Sequence, residues 1–488
     1  VKNGAALIGE WLLDGDFMSG KLRYYDFFVG RLTFTTPLHV GSMDPSPATD
    51  SPLLRDAGGR IYLPGTSVAG ALRSRATEIT DHNPGLREMV RVIFGDEGGM
   101  SRLWVEDAYP DAQYPILRDG VAIDPRFDAA KPRAKFDMET TPVNTDFDLT
   151  LRLITREGDP CDEMRSMVFT LMEDFRTGKI PLGAAKTRGL GRCSFGFTWR
   201  VLDFSKRADL AGYLATRNIE VLPHPDPPVP IHALCLRPNA LEVRITMAVD
   251  GSPFLIKGVL VDEDYDACFT TVADARSSGA PIEFIPGSSI KGVLRSRARK
   301  ILLTLGGNAC LNAGGSNCSD KLTQLVKTDQ KRRDDRGFID KHSCSICRLF
   351  GNGYLAGRIS FPDAFFSGPR IKKPLDCVAI DRFTGGAASG KLFDFCPVSA
   401  GTVDIGFQVR DPTDFDRHLV LLLVRDLWRP LLPIRIGYGK SKGFGLLTCK
   451  KVMVNGTELE GFNAVQLKSA MSPNGVTWNK GWWQDDDT

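Results

Sequence analysis

Pro64-Gly-Thr-Ser-Val-Ala-Gly-Ala-Leu-Arg-Ser-Arg-Ala76 returns later in the chain as Pro286-Gly-Ser-Ser-Ile-Lys-Gly-Val-Leu-Arg-Ser-Arg-Ala298. A short apolar run precedes each copy, Ile61 to Leu63 and Phe284 to Ile285. Both therefore read as strand, Pro-Gly turn, two hydroxyl residues and a basic helix. Ser or Thr at such a turn caps a helix by accepting its free N–H groups. The same helix end carries partial positive charge and suits a phosphate oxygen. Arg73 and Arg75, like Arg295 and Arg297, follow one or two turns on. A single copy reads as a capped surface helix; two copies at one spacing report an internal repeat.

The repeat extends outward in register. Gly65 pairs with Gly287, 222 residues on, whereas Ile93-Phe94-Gly95 pairs with Leu349-Phe350-Gly351 at 256. Val121 to Asp124 matches Val378 to Asp381 at 257, and Gly189-Leu-Gly191 matches Gly443-Phe-Gly445 at 254. The jump after the helix is one insertion of about 34 residues in the second half. Alternating apolar residues predict strands over Phe27–His39, Ser101–Tyr109, Phe147–Thr155 and Gly191–Leu202. Helical periodicity covers Gly65–Ile79 and Glu163–Arg176, and the second half repeats this order. Each half then reads βαββαβ, an α+β, ferredoxin-like order. The expected boundaries are a first domain over 1–220, a linker over 221–238, a second domain over 239–455 and a tail over 456–488. The linker is stiff, with five prolines between Val221 and Pro230.

At 488 residues two or three domains are expected, and 42 % apolar content supports large cores. A net charge of +3 means that nucleic acid, if it is the partner, must be met by local basic patches. No apolar run reaches the roughly 18 residues of a membrane span, and Gly9 and Glu10 interrupt the first apolar stretch, against a signal peptide. Eleven mostly scattered cysteines fit a reducing, cytoplasmic setting better than a disulfide framework.

Two glycine loops, Gly183-Ala-Ala-Lys-Thr-Arg-Gly-Leu-Gly191 and Gly437-Tyr-Gly-Lys-Ser-Lys-Gly-Phe-Gly445, each carry two cations. Glycines let backbone N–H groups approach an anion, so Lys186, Arg188, Lys440 and Lys442 are candidate phosphate contacts. A nucleotide-binding loop is excluded, because Gly439-Lys-Ser precedes a strand and not a helix. Cys310, Cys318, Cys344 and Cys347 are spaced C-x7-C-x25-C-x2-C inside the insertion, residues 308–347. Four thiolates close a tetrahedral zinc site; His342 is an alternative ligand in place of Cys310 or Cys318. The first half has Met89 to Gly95 there and no cysteine. Lys327, Lys331, Arg332, Arg333 and Arg336 form a basic run in the insertion, read as solvated surface or an RNA contact.

Pro286 to Arg295, the late glycine loop and Cys344-Ser-Ile-Cys-Arg-Leu-Phe-Gly351 together resemble the RAMP superfamily, and more narrowly the backbone subunits of type III CRISPR effector complexes. The resemblance covers about residues 27–203 and 239–455. It implies two tandem ferredoxin-like (RRM-type) domains lined up on a guide RNA, with complementary target RNA and other backbone and capping subunits as partners. It implies a structural Zn2+ module at the insertion. It implies that an aspartate after the first strand cuts target RNA, in a motif that Asp50-Ser-Pro-Leu-Leu-Arg-Asp56 matches, with Mg2+ or another divalent ion assisting. The second half lacks Asp-Ser-Pro; Asp266 is the nearest counterpart, with Asp262 and Asp264 as rivals. The loops Asp111–Asn144 and Pro369–Val398 correspond to the family's hairpin thumbs, with Phe127, Phe136 and Met138, or Phe383 and Phe393, as wedges between bases.

Guide contacts are expected from His39, Ser67, Arg73, Lys186 and Arg188, and from Ser289, Lys291, Arg295, Lys440 and Lys442. The competing readings are a non-catalytic RNA-binding scaffold, a guide-processing RNase and a zinc protein unrelated to RNA. Only six histidines, none paired, weigh against the RNase. Trp478, Trp482 and Trp483 lie in a tail read as docking or disordered.

Overall fold

A computed structural model describes residues 21–471 except 43, 45, 82, 125–128, 229–239, 259–264, 278–280, 311–316, 328, 334, 429–433 and 460–463. Asp262, Asp264, Phe127, the second part of the expected linker and the Trp-bearing tail lie outside the described residues. The first half runs β1 (Leu22–Phe34), α1 (Gly65–Thr80), α2 (Pro84–Phe94), β2 (Leu103–Val105), β3 (Ile116–Asp124), β4 (Ala129–Thr140), β5 (Thr145–Arg156), α3 (Cys161–Arg176), β6 (Cys193–Asp203) and α4 (Arg207–Thr216). The second half opens with β7 (Ala240–Phe254), β8 (Ala267–Cys268), β9 (Thr271–Ala273), β10 (Pro281–Ile285) and α5 (Gly287–Thr304). Helices α6 (Cys318–Lys327), α7 (Arg336–Lys341) and α8 (Ser345–Phe350) carry the insertion. There follow β11 (Ile359–Ser360), β12 (Ala364–Phe365), β13 (Ile371–Lys372), β14 (Leu375–Ile380), β15 (Ala387–Cys396), β16 (Val398–Arg410), α9 (Asp414–Trp428), β17 (Thr448–Val454), β18 (Thr457–Leu459) and α10 (Ala464–Met471).

The two main sheets share one topology. The first is ordered β2-β5-β1-β6, the second β11-β16-β7-β17 with β18 added at the edge. Both are the antiparallel ferredoxin-like order, with the half's first strand in the middle. The period-2 pattern explains why: Phe28, Leu32 and Phe34 of β1 are fully buried against Val68 and Leu72 of α1 and Met167 and Leu171 of α3. Leu241, Val243 and Ile245 of β7 pack in the same way on α5 and α9. The long loops between the second and third sheet strands are hairpins, β3–β4 and β14–β15.

Three details differ from the sequence reading. The β1 strand starts at Leu22, and α4 follows β6 and covers Phe27 on the back of the sheet with Leu210 and Tyr213. The start of the Pro-rich stretch is tied to β6, where the Val201 N–H donates to the Pro223 carbonyl at 3.2 Å. Neither basic helix is capped by its own hydroxyls. Pro64 and Pro286 precede them without a side-chain cap; the Gly65 N–H donates to Asp107 Oδ1 at 2.8 Å, and the Gly287 N–H to Asp363 Oδ1 at 2.7 Å. A Cβ on Gly65 would lie 2.1 Å from the Val105 carbonyl oxygen, and one on Gly287 2.2 Å from that of Phe361. Each helix thus starts pressed against a later segment, which delivers the capping carboxylate. The anion expected at these helix ends is already supplied by the protein.

Arg75 pairs with buried Asp174 at 2.7 Å and Arg297 with Asp426 at 2.6 Å, tying each basic helix to its half's second long helix. The halves themselves meet head to tail. Arg118 of β3 grips Asp363 with both guanidinium nitrogens at 2.6 and 2.7 Å. Lys291 Nζ donates to Thr187 Oγ1 at 2.8 Å, and Val143 packs with Val272 and Phe284.

Candidate functional site

Each half closes its first sheet strand into the same hydrogen-bonded loop. The Leu54 N–H donates to the Val40 carbonyl and the Thr270 N–H to that of Ile256, both at 2.8 Å. Bridges join Gly41 to Leu53 and Lys257 to Phe269. The Ala184 N–H donates to the His39 carbonyl, and the Tyr438 N–H to that of Leu255. On the loop itself the matching residues, His39 and Leu255, Val40 and Ile256, Gly41 and Lys257, Leu53 and Phe269, Leu54 and Thr270, all stand 216 apart, which makes Asp266 the positional counterpart of Asp50. Counting back from the basic helix hides this, because the stretch from the loop aspartate to the helix is 21 residues in the second half (Asp266 to Gly287) against 15 in the first (Asp50 to Gly65).

Both aspartates are exposed and both lean on a hairpin. The Asp50 N–H donates to Asp137 Oδ1 of β4 at 2.8 Å, and the Asp137 N–H returns a bond to Asp50 Oδ2 at 3.1 Å. The Asp266 N–H donates to Asp394 Oδ1 of β15 at 2.8 Å, and the Asp394 N–H returns a bond to Asp266 Oδ2 at 3.2 Å. The bond from the Asp50 N–H, with one from Thr49 Oγ1, holds the Asp137 carboxyl below the usual carboxylate range. Asp137 and Asp394 escaped the sequence reading; the signal was their shared offset of 257, the same as that of Val121 and Val378. Asp56, at the end of the motif, is a turn residue whose Oδ1 accepts from the Gly58 and Arg60 N–H groups.

The hairpins carry apolar side chains into solvent. Phe383 is 84 % and Leu392 74 % exposed, with Ile380, Val378, Leu117 and Val121 also outward. Exposed apolar tips of this kind are candidate contact surfaces. Phe136 instead lies across Gly120 of the facing strand, and Phe393 packs on Phe395 beneath Lys442 at 4.9 Å.

Both glycine loops fold as a single 3-10 turn, Lys186–Arg188 and Lys440–Lys442, framed by left-handed residues. Arg73, Lys186, Arg188 and Lys442 are exposed; Ser67, Ser289 and Lys440 are half-buried. Three expected contacts turn inward. His39 is buried, its Nδ1 against the Glu139 carbonyl at 2.7 Å. Lys291 is only 8 % exposed in the joint between halves, where burial, with Arg295 and Arg188 nearby, pushes it down to about 7. Arg295 donates to Cys347 Sγ at 3.2 Å. The repeat marks these positions, but not which way they face.

The four cysteines converge, all Sγ atoms lying within 4.8 Å of one another. Tetrahedral zinc with bonds of about 2.3 Å needs sulfurs about 3.8 Å apart, so the set fits. The Cys310 N–H points at Cys344 Sγ and the Cys344 N–H at Cys318 Sγ, at 3.4 and 3.3 Å. Hydrogen bonds from Cys318, Cys344 and Cys347 hold Cys310 well below the ordinary thiol value. His342 is not a ligand: its ring lies on Phe338 with Nδ1 at the Phe338 carbonyl, 2.8 Å away. Cys310 and Cys318, either of which the alternative reading replaced by histidine, both stand in the cluster.

Compared with known families, the chain is matched by the model of the RAMP superfamily twice, over residues 31–194 and again over 274–448. No curated protein matches it.

Proposed function

The chain belongs to the RAMP superfamily, and from that premise we propose that it is a two-domain backbone subunit of a type III CRISPR effector complex, binding guide RNA and cutting the paired target RNA. The observation that carries this reading is the repeated loop carboxylate: Asp50 and Asp266 stand at one register position in the two halves, each exposed beside an apolar-tipped hairpin. A hairpin that displaces one target nucleotide brings its 2′-hydroxyl to the carboxylate. The carboxylate accepts the proton, the 2′-oxygen attacks the adjacent phosphorus, and the bond to the 5′-oxygen breaks as that oxygen takes a proton from water. The products are a 2′,3′-cyclic phosphate and a 5′-hydroxyl, and general-base help of this kind is worth about 10²–10⁴-fold. Among the described residues only the cysteines gather three or more ligating atoms. Mg2+ or another divalent ion at Asp50 or Asp266 would therefore draw its remaining ligands from RNA phosphate and water.

Guide phosphates meet the outward cations Arg73, Lys186, Arg188 and Lys442, with Ser67, Ser289 and Lys440 at the edge of that surface. His39, Lys291 and Arg295 support it from beneath. Such contacts bind without regard to sequence and weaken with salt. Zn2+ held by Cys310, Cys318, Cys344 and Cys347 stiffens the insertion.

The test uses the complex assembled around the full chain with its guide and an end-labelled target. Asp50→Ala is expected to remove one cut and Asp266→Ala a different one, with target binding intact. A ladder unchanged in both variants would leave the chain an RNA-binding scaffold.

A further inference from the structure

Asp137 and Asp394 lie on the hairpins and not on the loops, yet each exchanges two hydrogen bonds with a loop aspartate. The loops themselves differ: Asp50-Ser-Pro in one, Asp266-Ala-Cys in the other, with 87 residues between partners in the first half and 128 in the second. The reciprocal bonding is the same all the same. Each hairpin aspartate also stands directly across its ladder from a second aspartate, Asp137 from Asp119 and Asp394 from Asp376. Like charges placed opposite one another destabilise a strand pair. In the first half Lys135 offsets this at 2.9 Å from Asp119; Leu392 stands at the corresponding place in the second. Fold building alone gives no reason to place this pair twice.

Resting on the reading of Asp50 and Asp266 as the cutting groups, we propose that Asp137 and Asp394 are positioning residues that clamp each loop aspartate to the root of its hairpin. The clamp engages the aspartate's N–H and its Oδ2, and leaves Oδ1 to face the reacting 2′-hydroxyl. Loop and hairpin then move as one body, so the carboxylate is placed by the same element that displaces the nucleotide. A misplacement of about 1 Å at such a site costs on the order of 100-fold in rate.

The test uses the assembled complex and site-resolved, single-turnover cutting. Asp137→Ala is expected to slow the cut that Asp50→Ala removes by about 10–100-fold, with target affinity and the second cut unchanged. Asp394→Ala does the reverse. Asp137→Asn and Asp394→Asn keep an acceptor oxygen for the loop N–H and restore most of the rate. Hydrogen exchange supplies a readout independent of cutting: the Asp50 amide exchanges faster in Asp137→Ala, and the Asp266 amide in Asp394→Ala. Unchanged amide exchange, or a wild-type rate at the variant's own cut, overturns the clamp. Asn variants as slow as the Ala variants overturn it too, because the charge and not the hydrogen bond would then matter. If Asp50→Ala and Asp266→Ala spare both cuts while exchange still rises, the clamp stands and the cutting assignment falls.

Discussion

Arg295 shows how a residue acquires a role that its sequence neighbours do not announce. In the repeat it matches Arg73, which is exposed; in the fold it reaches Cys347, because only the second half has thiols beside that helix. With a divalent ion bound, a cation there would offset the net negative charge of the four thiolates around it. Arg295→Ala is expected to weaken metal retention by about 10–100-fold, as loss of such outer partners does, read by competition with a chelator. Cys344→Ser is expected to abolish metal binding and to unfold α6 to α8 while the first half keeps its structure, read by metal content and by limited proteolysis. Asp50 is proposed from its motif, and the fold adds its place beside the hairpin. Asp266 was legible only as the nearest carboxylate, since its assignment needs the backbone hydrogen bonds that fix the loop's register.

At the scale of elements, the glycine loops and hairpins were both readable, the first from spacing and the second from loops too long for a simple connection. What the loops need from glycine is visible in the fold. Gly191 and Gly445 have φ of +76° and +81°, and a Cβ on them would come within 1.8 and 2.1 Å of the Leu182 and Ile436 carbonyl oxygens. Gly445→Ala is expected to cost at least about 1–3 kcal/mol, measured by denaturant unfolding, and to displace Lys440 and Lys442. The β14–β15 hairpin behaves in the opposite way. Phe383 is exposed, so Phe383→Ala should leave stability within about 0.5 kcal/mol while it lowers cutting of the target at the adjacent position.

For the whole molecule, the halves join through unlike surfaces: the first half's glycine loop and β3 meet the second half's helix start and Asp363. Lys291 lies in the joint with a folded value of about 7 against 10.5. Between those values the unfolded chain holds the proton and the folded chain does not, so stability rises with pH across the window and the gain is lost as pH falls through 7. Lys291→Met is expected to remove this slope, measured as the difference in unfolding free energy between variant and wild type from pH 7 to 10. An identical slope in both would place the titration elsewhere.

The sequence by itself determined the tandem architecture, the strand order within each half and the cysteine cluster. These follow from periodicity, spacing and repetition, all of which are local or are carried by a fixed offset. Only the tertiary structure decided that Asp107 and Asp363 cap the basic helices, that His342 is excluded from the thiol cluster, that Asp266 is the register partner of Asp50, and that Lys291 and Arg295 face inward. Each of these depends on side chains or backbone groups brought together from distant parts of the chain. No pattern of hydrophobicity or spacing encodes that meeting until the sheets have packed.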